Sequence, residues 1–258
     1  YKVMGLAPYA HKKNYKDILK FYLSTLKAKN LDFKVNKLAK DTYFYFKKNL
    51  SRYRFDNIAG ALQEFVELRL VEWFKNISNK LKTNYFVFSG GVANNVKANK
   101  ILADQKFVKS IWIPPGPGDE SLCVGAVYNF IYKKLGPSKT LNYIKTPKNA
   151  YWGPRIQNEN LKNFKKNHLI KKYFDLSIDK NFLKSADLLN RGEILFVLFD
   201  KQEFGQRALG HRSIVCDPSN IHLVKKINST IKMRDFWMPF TPSILEDYKH
   251  KYFGYKKN

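Results

Sequence analysis

Tyr85-Phe86-Val87-Phe88-Ser89-Gly90-Gly91-Val92-Ala93-Asn94 decides the fold class. Four consecutive apolar residues read as a short buried strand, Ser-Gly-Gly breaks it, and Val92 to Ala103 reads as a helix. Downstream, Ser110-Ile111-Trp112-Ile113 is a second strand stopped by Pro114-Pro115. A helix over about 120–135 follows, with Leu122, Val124, Ala126, Val127, Phe130 and Ile131 as its apolar face. Strand, Gly turn, helix, strand, Pro-Gly loop, helix is α/β order, and right-handed crossovers would place the sheet between helices.

Upstream, a helix is expected near 14–27. Tyr43-Phe44-Tyr45-Phe46 reads either as a strand or as an exposed insertion. Asp56 is a favourable N-cap for a long helix over about 57–82, with Ile58, Ala61, Leu62, Phe65 and Leu68 at helical spacing. Residues 136–158 are loop-like, with Pro137, Pro147 and Pro154, and Gly136-Pro137-Ser138 ends the preceding helix. The expected organisation is therefore a first domain over 1–136, a linker over 137–157 and a second domain over 158–258. The second begins with helices near 158–166 and 179–191, the latter ended by Gly192. Ile194-Leu195-Phe196-Val197-Leu198-Phe199 reads as a buried strand, and the polar loop Asp200 to Arg212 leads into a strand at Ser213-Ile214-Val215. A basic helix over Asn220 to Lys232 follows.

The chain has 258 residues, 44% of them hydrophobic, enough to form a core. Its formal charge is +26, from 47 Lys+Arg against 21 Asp+Glu. The lysines are spread along the chain and recur beside asparagines (Lys29-Asn30, Lys48-Asn49, Lys166-Asn167, Lys257-Asn258), which reads as a solvated basic surface rather than a nucleic-acid stripe. Cys123 and Cys216 are far apart and give neither a disulfide framework nor paired-thiolate metal spacing; Cys123, in an apolar run, is expected in the core. No apolar run approaches the ~20 residues that span a bilayer, and the start lacks a signal peptide. The expected setting is cytoplasmic, with no membrane partner. Tyr1 in place of Met, and a stop at Lys256-Lys257-Asn258 after a run that reads as an unfinished domain, lead to the expectation of a fragment.

Four segments carry candidate chemistry. In Ser89 to Asn94 the two glycines remove the Cβ atoms that would keep an anion from backbone N–H groups, and a helix N-terminus there would add partial positive charge. A tight turn without ligand reads the same way. Pro114-Pro115-Gly116-Pro117-Gly118-Asp119-Glu120-Ser121 presents adjacent carboxylates at a helix start. Asp119 suits a hard or borderline cation, and equally a plain N-cap. In Glu203 to Ser213, Arg207 and Arg212 flank Gly210, and Arg forks match carboxylate and phosphate geometry. Ser213 adds a hydroxyl, and His211 reads as an ordinary loop histidine. Lastly, Lys232 and Arg234 stand where a helix passes into Phe236-Trp237-Met238-Pro239-Phe240, although cations at a helix end are also simply stabilising. Trp237 and Phe240 are expected in the core.

In this order the segments Lys2 to Tyr9, Ser89 to Asn94, Pro114 to Gly125, Glu203 to Pro218 and Asn228 to Leu245 resemble the O-carbamoyltransferases of the NodU/CmcH type. The resemblance implies the C-terminal part of an actin/hexokinase-like (ASKHA) domain followed by part of a YrdC-like, carbamoyl-adenylate-forming α/β domain. It implies that carbamoyl phosphate and ATP, with Mg, form a carbamoyl-adenylate whose carbamoyl group passes to a small hydroxylated acceptor, near iron or another divalent metal. Carried over by position, Arg207, Arg212 and Lys232 would be catalytic. Gly90, Gly91, Asn94, Ser213 and Arg234 would bind nucleotide or carbamoyl group, and Asp119 would be a metal ligand. Four departures stand out. The family's metal-binding histidines and the closing segment after Ser243 are absent, Gln206 stands in place of Pro, and Glu120-Ser121 stands in place of Asp-Gly. The piece alone is therefore expected to be inactive. A tRNA threonylcarbamoyl-type enzyme, a non-catalytic basic nucleic-acid-binding module and a degenerate structural remnant are the competing readings.

Overall fold

Phe55–Leu81 forms one helix of 27 residues, and the N-terminal half of the chain is built around it. The computed structural model describes residues 2–36, 41–145, 147–177 and 179–252. The terminal residues behind the expectation of a fragment, Tyr1 and Lys256-Lys257-Asn258, lie outside them. In order, the chain forms α1 (Lys2–Leu6), α2 (Lys16–Thr25), β1 (Leu26–Lys29), β2 (Asp32–Val35), α3 (Thr42–Leu50), α4 (Phe55–Leu81), β3 (Tyr85–Val87), α5 (Val96–Ala103), β4 (Ser110–Trp112) and α6 (Leu122–Tyr143). Then come α7 (Asn158–Lys166), α8 (His168–Tyr173), α9 (Leu183–Asn190), β5 (Leu195–Leu198), β6 (Arg212–Val215), α10 (Ile221–Lys226) and α11 (Lys249–Tyr252). The class is mixed α/β, helix-rich, with three two-stranded sheets among the described residues. The chain divides into two units: Tyr1–Phe174 with Val197–Ser213, and Asp175–Phe196 with Ile214–Asn258.

In the first unit, β1 and β2 are an antiparallel hairpin registering Leu26 with Val35 and Lys29 with Asp32. Its turn residue Asn30 is left-handed, with φ 57°. β3 and β4 are parallel, Tyr85 opposite Ser110 and Val87 opposite Trp112, so β3–α5–β4 is the crossover unit expected from the sequence. Two cores lie along α4. Tyr15, Ile18, Tyr22, Leu50, Ala61 and Phe65 pack around its first half. Leu70 and Phe74 pack with Phe88, Ala93, Ala98 and Leu102 around its second.

Several elements differ from the sequence expectation. Residues 43–46 belong to helix α3, whose N-cap Asp41 accepts the Phe44 N–H at 3.2 Å and whose end is held by buried Leu50. Arg54, not Asp56, is the N-cap of α4; Asp56 sits in the first turn paired with the Arg54 guanidinium at 2.9 Å. α6 is broken at Gly136, at φ 75°, where the helix was expected to end, but helical structure resumes beyond it and runs to Tyr143, where a loop was expected. β3 and β5 are not buried strands: Val87 is 71% and Phe196 68% exposed. The apolar face of α6 is likewise open at Leu122, Val127 and Phe130, and Cys123 is exposed rather than in the core.

Two measurable consequences follow from the first core. A Cβ on Gly60 would stand 2.7 Å from the Ala10 Cβ and 2.8 Å from Tyr15 Cε1. Alanine gains up to about 1 kcal/mol of helix propensity, but overpacking costs about 1–3 kcal/mol. Neither neighbour can swing away freely, since the Tyr15 hydroxyl is held on Glu64 at 2.9 Å. Gly60→Ala is therefore expected to lower the melting temperature, and a rise would contradict this packing. Burial first, then the hydrogen bond to Glu64, pushes the Tyr15 pKa up to about 12. Burial alone does the same to Tyr22. Both folded values lie above the ordinary 10.0, so their stabilising effect is complete below pH 10 and lost as pH rises through 12. The melting temperature should fall over that window, and less steeply in Tyr22→Phe.

Candidate functional site

The Gly-Gly turn is tied to the Pro-Gly loop beside it. The Phe88 N–H donates to the Trp112 carbonyl at 2.9 Å, and the Gly90 N–H and Ser89 hydroxyl donate to the Pro117 carbonyl at 2.7 and 3.2 Å. Gly90 has φ 105°, a conformation that needs glycine. Gly91–Asn94 is a single tight 3-10 turn, and α5 starts only at Val96. The helix N-terminus expected at the glycines thus lies further on, where the Asn95 side-chain oxygen, Oδ1, caps it by accepting the Ala98 N–H at 3.1 Å.

Under the turn lies a partnered polar network. Gln63, 2% exposed, exchanges amide hydrogen bonds with Asn95, at 3.1 Å from Nε2 and 2.9 Å from the Asn95 amide. Its Nε2 also donates to Glu67 at 2.8 Å, and Lys97 closes the set 3.2 Å from Glu67. Satisfied buried networks of this kind fix geometry. Above it is a cavity of about 390 Å³ within the first unit, with Val3, Met4, Leu62 and Val66 on its apolar wall, Gln63 and Asn95 at its base, and Gly91, Val92, Asn94 and Gln206 completing it. None of these side chains is charged. A Cβ on Gly91 would meet nothing within 4 Å, so the backbone there is open.

The loop Glu203 to Arg212 meets this turn. One Glu203 carboxylate oxygen accepts the N–H groups of Leu209, His211 and Arg212 at 2.8, 2.7 and 3.1 Å, which closes the loop on itself. Burial pulls the Glu203 pKa up, but these N–H groups outweigh it and set it at about 2. At the tip, Arg207 donates from Nη2 to the Asn94 carbonyl at 3.2 Å, and Gln206 Nε2 donates to Glu120 at 3.0 Å. Arg207 and Asn94, read separately from the sequence, are therefore neighbours. Arg212 is turned elsewhere: its guanidinium donates to the carbonyls of Phe199, His211 and Asp200 at 2.7, 3.0 and 3.3 Å. The Ser213 hydroxyl accepts the Gly210 N–H at 2.9 Å. His211 stacks on Tyr151, centroids 3.9 Å apart, with Nδ1 2.6 Å from the Lys201 carbonyl.

Asp119 opens the 3-10 turn before α6 and is exposed. Among the described residues no group of three or more His, Cys, Asp and Glu could hold a metal ion. In the second unit, α10 runs into a π-helical turn, Ile227–Ile231, with Lys232 exposed at its end. Arg234 Nε donates to the Asn228 side-chain oxygen at 2.6 Å, and its guanidinium lies 4.4 Å from the Phe240 ring centroid. Asn228, buried, donates to the Met238 carbonyl at 3.1 Å. Burial lowers the Arg234 pKa, and its Nη2 and the Trp237 Nε1 have no hydrogen-bond partner among the described residues. Sequence reasoning missed Glu203, Gln63 and Asn228 as organisers. The available signal was an amide and an acid one helical turn apart at Gln63 and Glu67 and an acid opening the Gly-Arg-Gly loop at Glu203.

A parallel βαβ turn with an open glycine, walled by apolar side chains and faced by an arginine loop, stands in a mixed α/β, helix-rich protein. The chain belongs to the carbamoyltransferase family: residues 1–128 match the carbamoyltransferase N-terminus and residues 186–258 the carbamoyltransferase C-terminus. An uncharacterized protein of Methanocaldococcus jannaschii is 32% identical over 208 residues, covering 76% of this chain and 34% of that protein. An uncharacterized protein of Synechocystis is 30% identical, over 98% of this chain and 44% of its own length. The nodulation protein NolO of Bradyrhizobium diazoefficiens is 26% identical over 98% and 46%. The chain thus spans less than half the length of these relatives. None of its helices, among the described residues, is long and apolar enough to cross a membrane.

Proposed function

We propose that the protein of which this chain is the whole or a part transfers a carbamoyl group to an acceptor hydroxyl, with carbamoyl phosphate as donor and ATP as activator. The observation that carries this reading is the Arg207–Asn94 contact at the rim of an uncharged, amide-based cavity beside an open glycine. The carbamoyl group is small, neutral and amide-like, which suits Gln63, Asn94 and Asn95; its phosphate or adenylate end is anionic, which suits Arg207. Carbamoyl phosphate, ATP and water give carbamoyl-adenylate, pyrophosphate and phosphate. The acceptor oxygen then attacks the carbamoyl carbon, the bond to AMP breaks with its electron pair, and the hydroxyl proton is lost. Arg207 stabilises charge on the departing phosphoryl oxygens. Under this reading residues 1–136 are the C-terminal part of an actin/hexokinase-like domain, and residues 158–258, with Arg207, Lys232 and Arg234, are the N-terminal part of a YrdC-like activating domain. Asp119 would supply one ligand of a metal, and no step is routed through that metal.

Gly91→Ala tests this reading. The new methyl group meets no atom within 4 Å, so the fold should be unaffected or stabilised by about 0.4–1 kcal/mol through the unfolded chain. Calorimetric titration with carbamoyl phosphate should nevertheless show affinity at least about tenfold weaker, which is 1.4 kcal/mol. Undiminished affinity in Gly91→Ala would place the ligand elsewhere.

A further inference from the structure

Gly118 has three side chains from separate segments over it. The position of a Cβ there is 2.7 Å from Glu120 Oε2, 3.2 Å from Gln206 Nε2 and 3.4 Å from Asn94 Nδ2. Glu120 folds back over its own loop: Oε1 accepts the Gly118 N–H at 3.3 Å, and a Cβ on Gly116 would lie 2.9 Å from its Cγ. Oε2 is left to accept Gln206 Nε2 at 3.0 Å, across 86 residues of chain. Beside this bond the two loops touch through backbone. Gly116 and Gly205 have φ 60° and 103°, and a Cβ on Gly205 would be 3.1 Å from the Gly116 Cα. Gln206 also lines the cavity and precedes Arg207.

We propose that Glu120 and Gln206 form a latch that holds the Arg207 loop against the Pro-Gly loop and so sets Arg207 at the cavity rim. They act through Arg207 and are positioning residues. Glycine at 116, 118 and 205 leaves the space in which the carboxylate folds back and the loops meet. Both latch residues stand at positions where this sequence departs from the pattern it otherwise resembles, and the departures meet each other. The ligand consequence rests on the proposed function; the latch itself does not.

The test is a double-mutant cycle in the 258-residue chain, with hydrogen exchange of residues 203–212 as a readout that needs no ligand and carbamoyl phosphate titration as a second. Glu120→Ala and Gln206→Ala should each speed exchange over 203–212 and weaken affinity about threefold to tenfold, the worth of one hydrogen bond. The double alanine variant should be no worse than either single. The exchanged pair Glu120→Gln with Gln206→Glu should restore slow exchange, because Gln then donates to Glu in the opposite sense. Unchanged exchange in both single variants, or effects that simply add, would overturn the latch. If the latch is seen by exchange but neither Gly91→Ala nor Arg207→Ala alters carbamoyl phosphate binding, the latch stands and the functional reading falls.

Discussion

Phe74→Ala is expected to cost the protein about 3–5 kcal/mol. Phe74 is 3% exposed and meets the Phe86 and Phe88 rings edge-on at 5.1 and 5.2 Å. It therefore fastens the second half of α4 to β3 and to the residue before Ser89, from which the Gly-Gly turn springs. Removing it forfeits transfer energy, two edge-to-face contacts worth about 0.5–1.5 kcal/mol each and the contacts lining the cavity left behind. Since domains are stable by only about 5–15 kcal/mol, urea unfolding should show a much lower midpoint. Phe74→Leu should cost less, because it refills most of the volume. A Phe74→Ala loss below about 1 kcal/mol would mean that this core is not built as described.

Arg207→Ala should lower kcat/KM of the whole carbamoyltransferase by about 10²–10³, the usual worth of one preorganised donor to developing charge. Its side chain is exposed and donates one hydrogen bond among the described residues, to Asn94, so stability should stay within about 0.5 kcal/mol. Arg207→Lys should recover only part of the rate, since a point charge replaces a planar fork. The measurement is acceptor-dependent AMP release with carbamoyl phosphate and ATP. A loss no larger than that caused by removing an exposed lysine with no assigned role, such as Lys165, would remove Arg207 from the chemistry and favour a merely basic surface.

The order of the β3–α5–β4 unit was legible because an apolar run, a glycine break and a second apolar run have few folded solutions. Burial was not legible. Val87, Phe196 and Leu122 sit in runs that look like core, yet periodicity says which side chains share a face and not what covers it. For residues 43–46 the sequence left a strand and an exposed insertion open; a cap at Asp41 and packing of Leu50 favour a helix there, on which Tyr43 and Phe44 are exposed. Asp56 misled because a good cap residue becomes an ion-pair partner when the helix begins one turn-position earlier, at Phe55. Gly91 and Arg207 were singled out one by one from glycine freedom and arginine chemistry, and Asn94 from the resemblance. Their meeting was not legible, since Arg207 reaches Asn94 across 113 residues. Glu203 was hidden for a similar reason: its three N–H partners are revealed only when the loop closes.

The central claim is that the Gly-Gly turn and the Arg207 loop form one site. Its most direct test is a titration of the ¹⁵N-labelled chain with carbamoyl phosphate, following backbone amide shifts residue by residue. The account predicts saturable shifts at Gly91, Val92, Asn94 and Arg207 that fit a single dissociation constant. Shifts confined to the second unit around Lys232 and Arg234, with Gly91 and Arg207 unmoved, would contradict it.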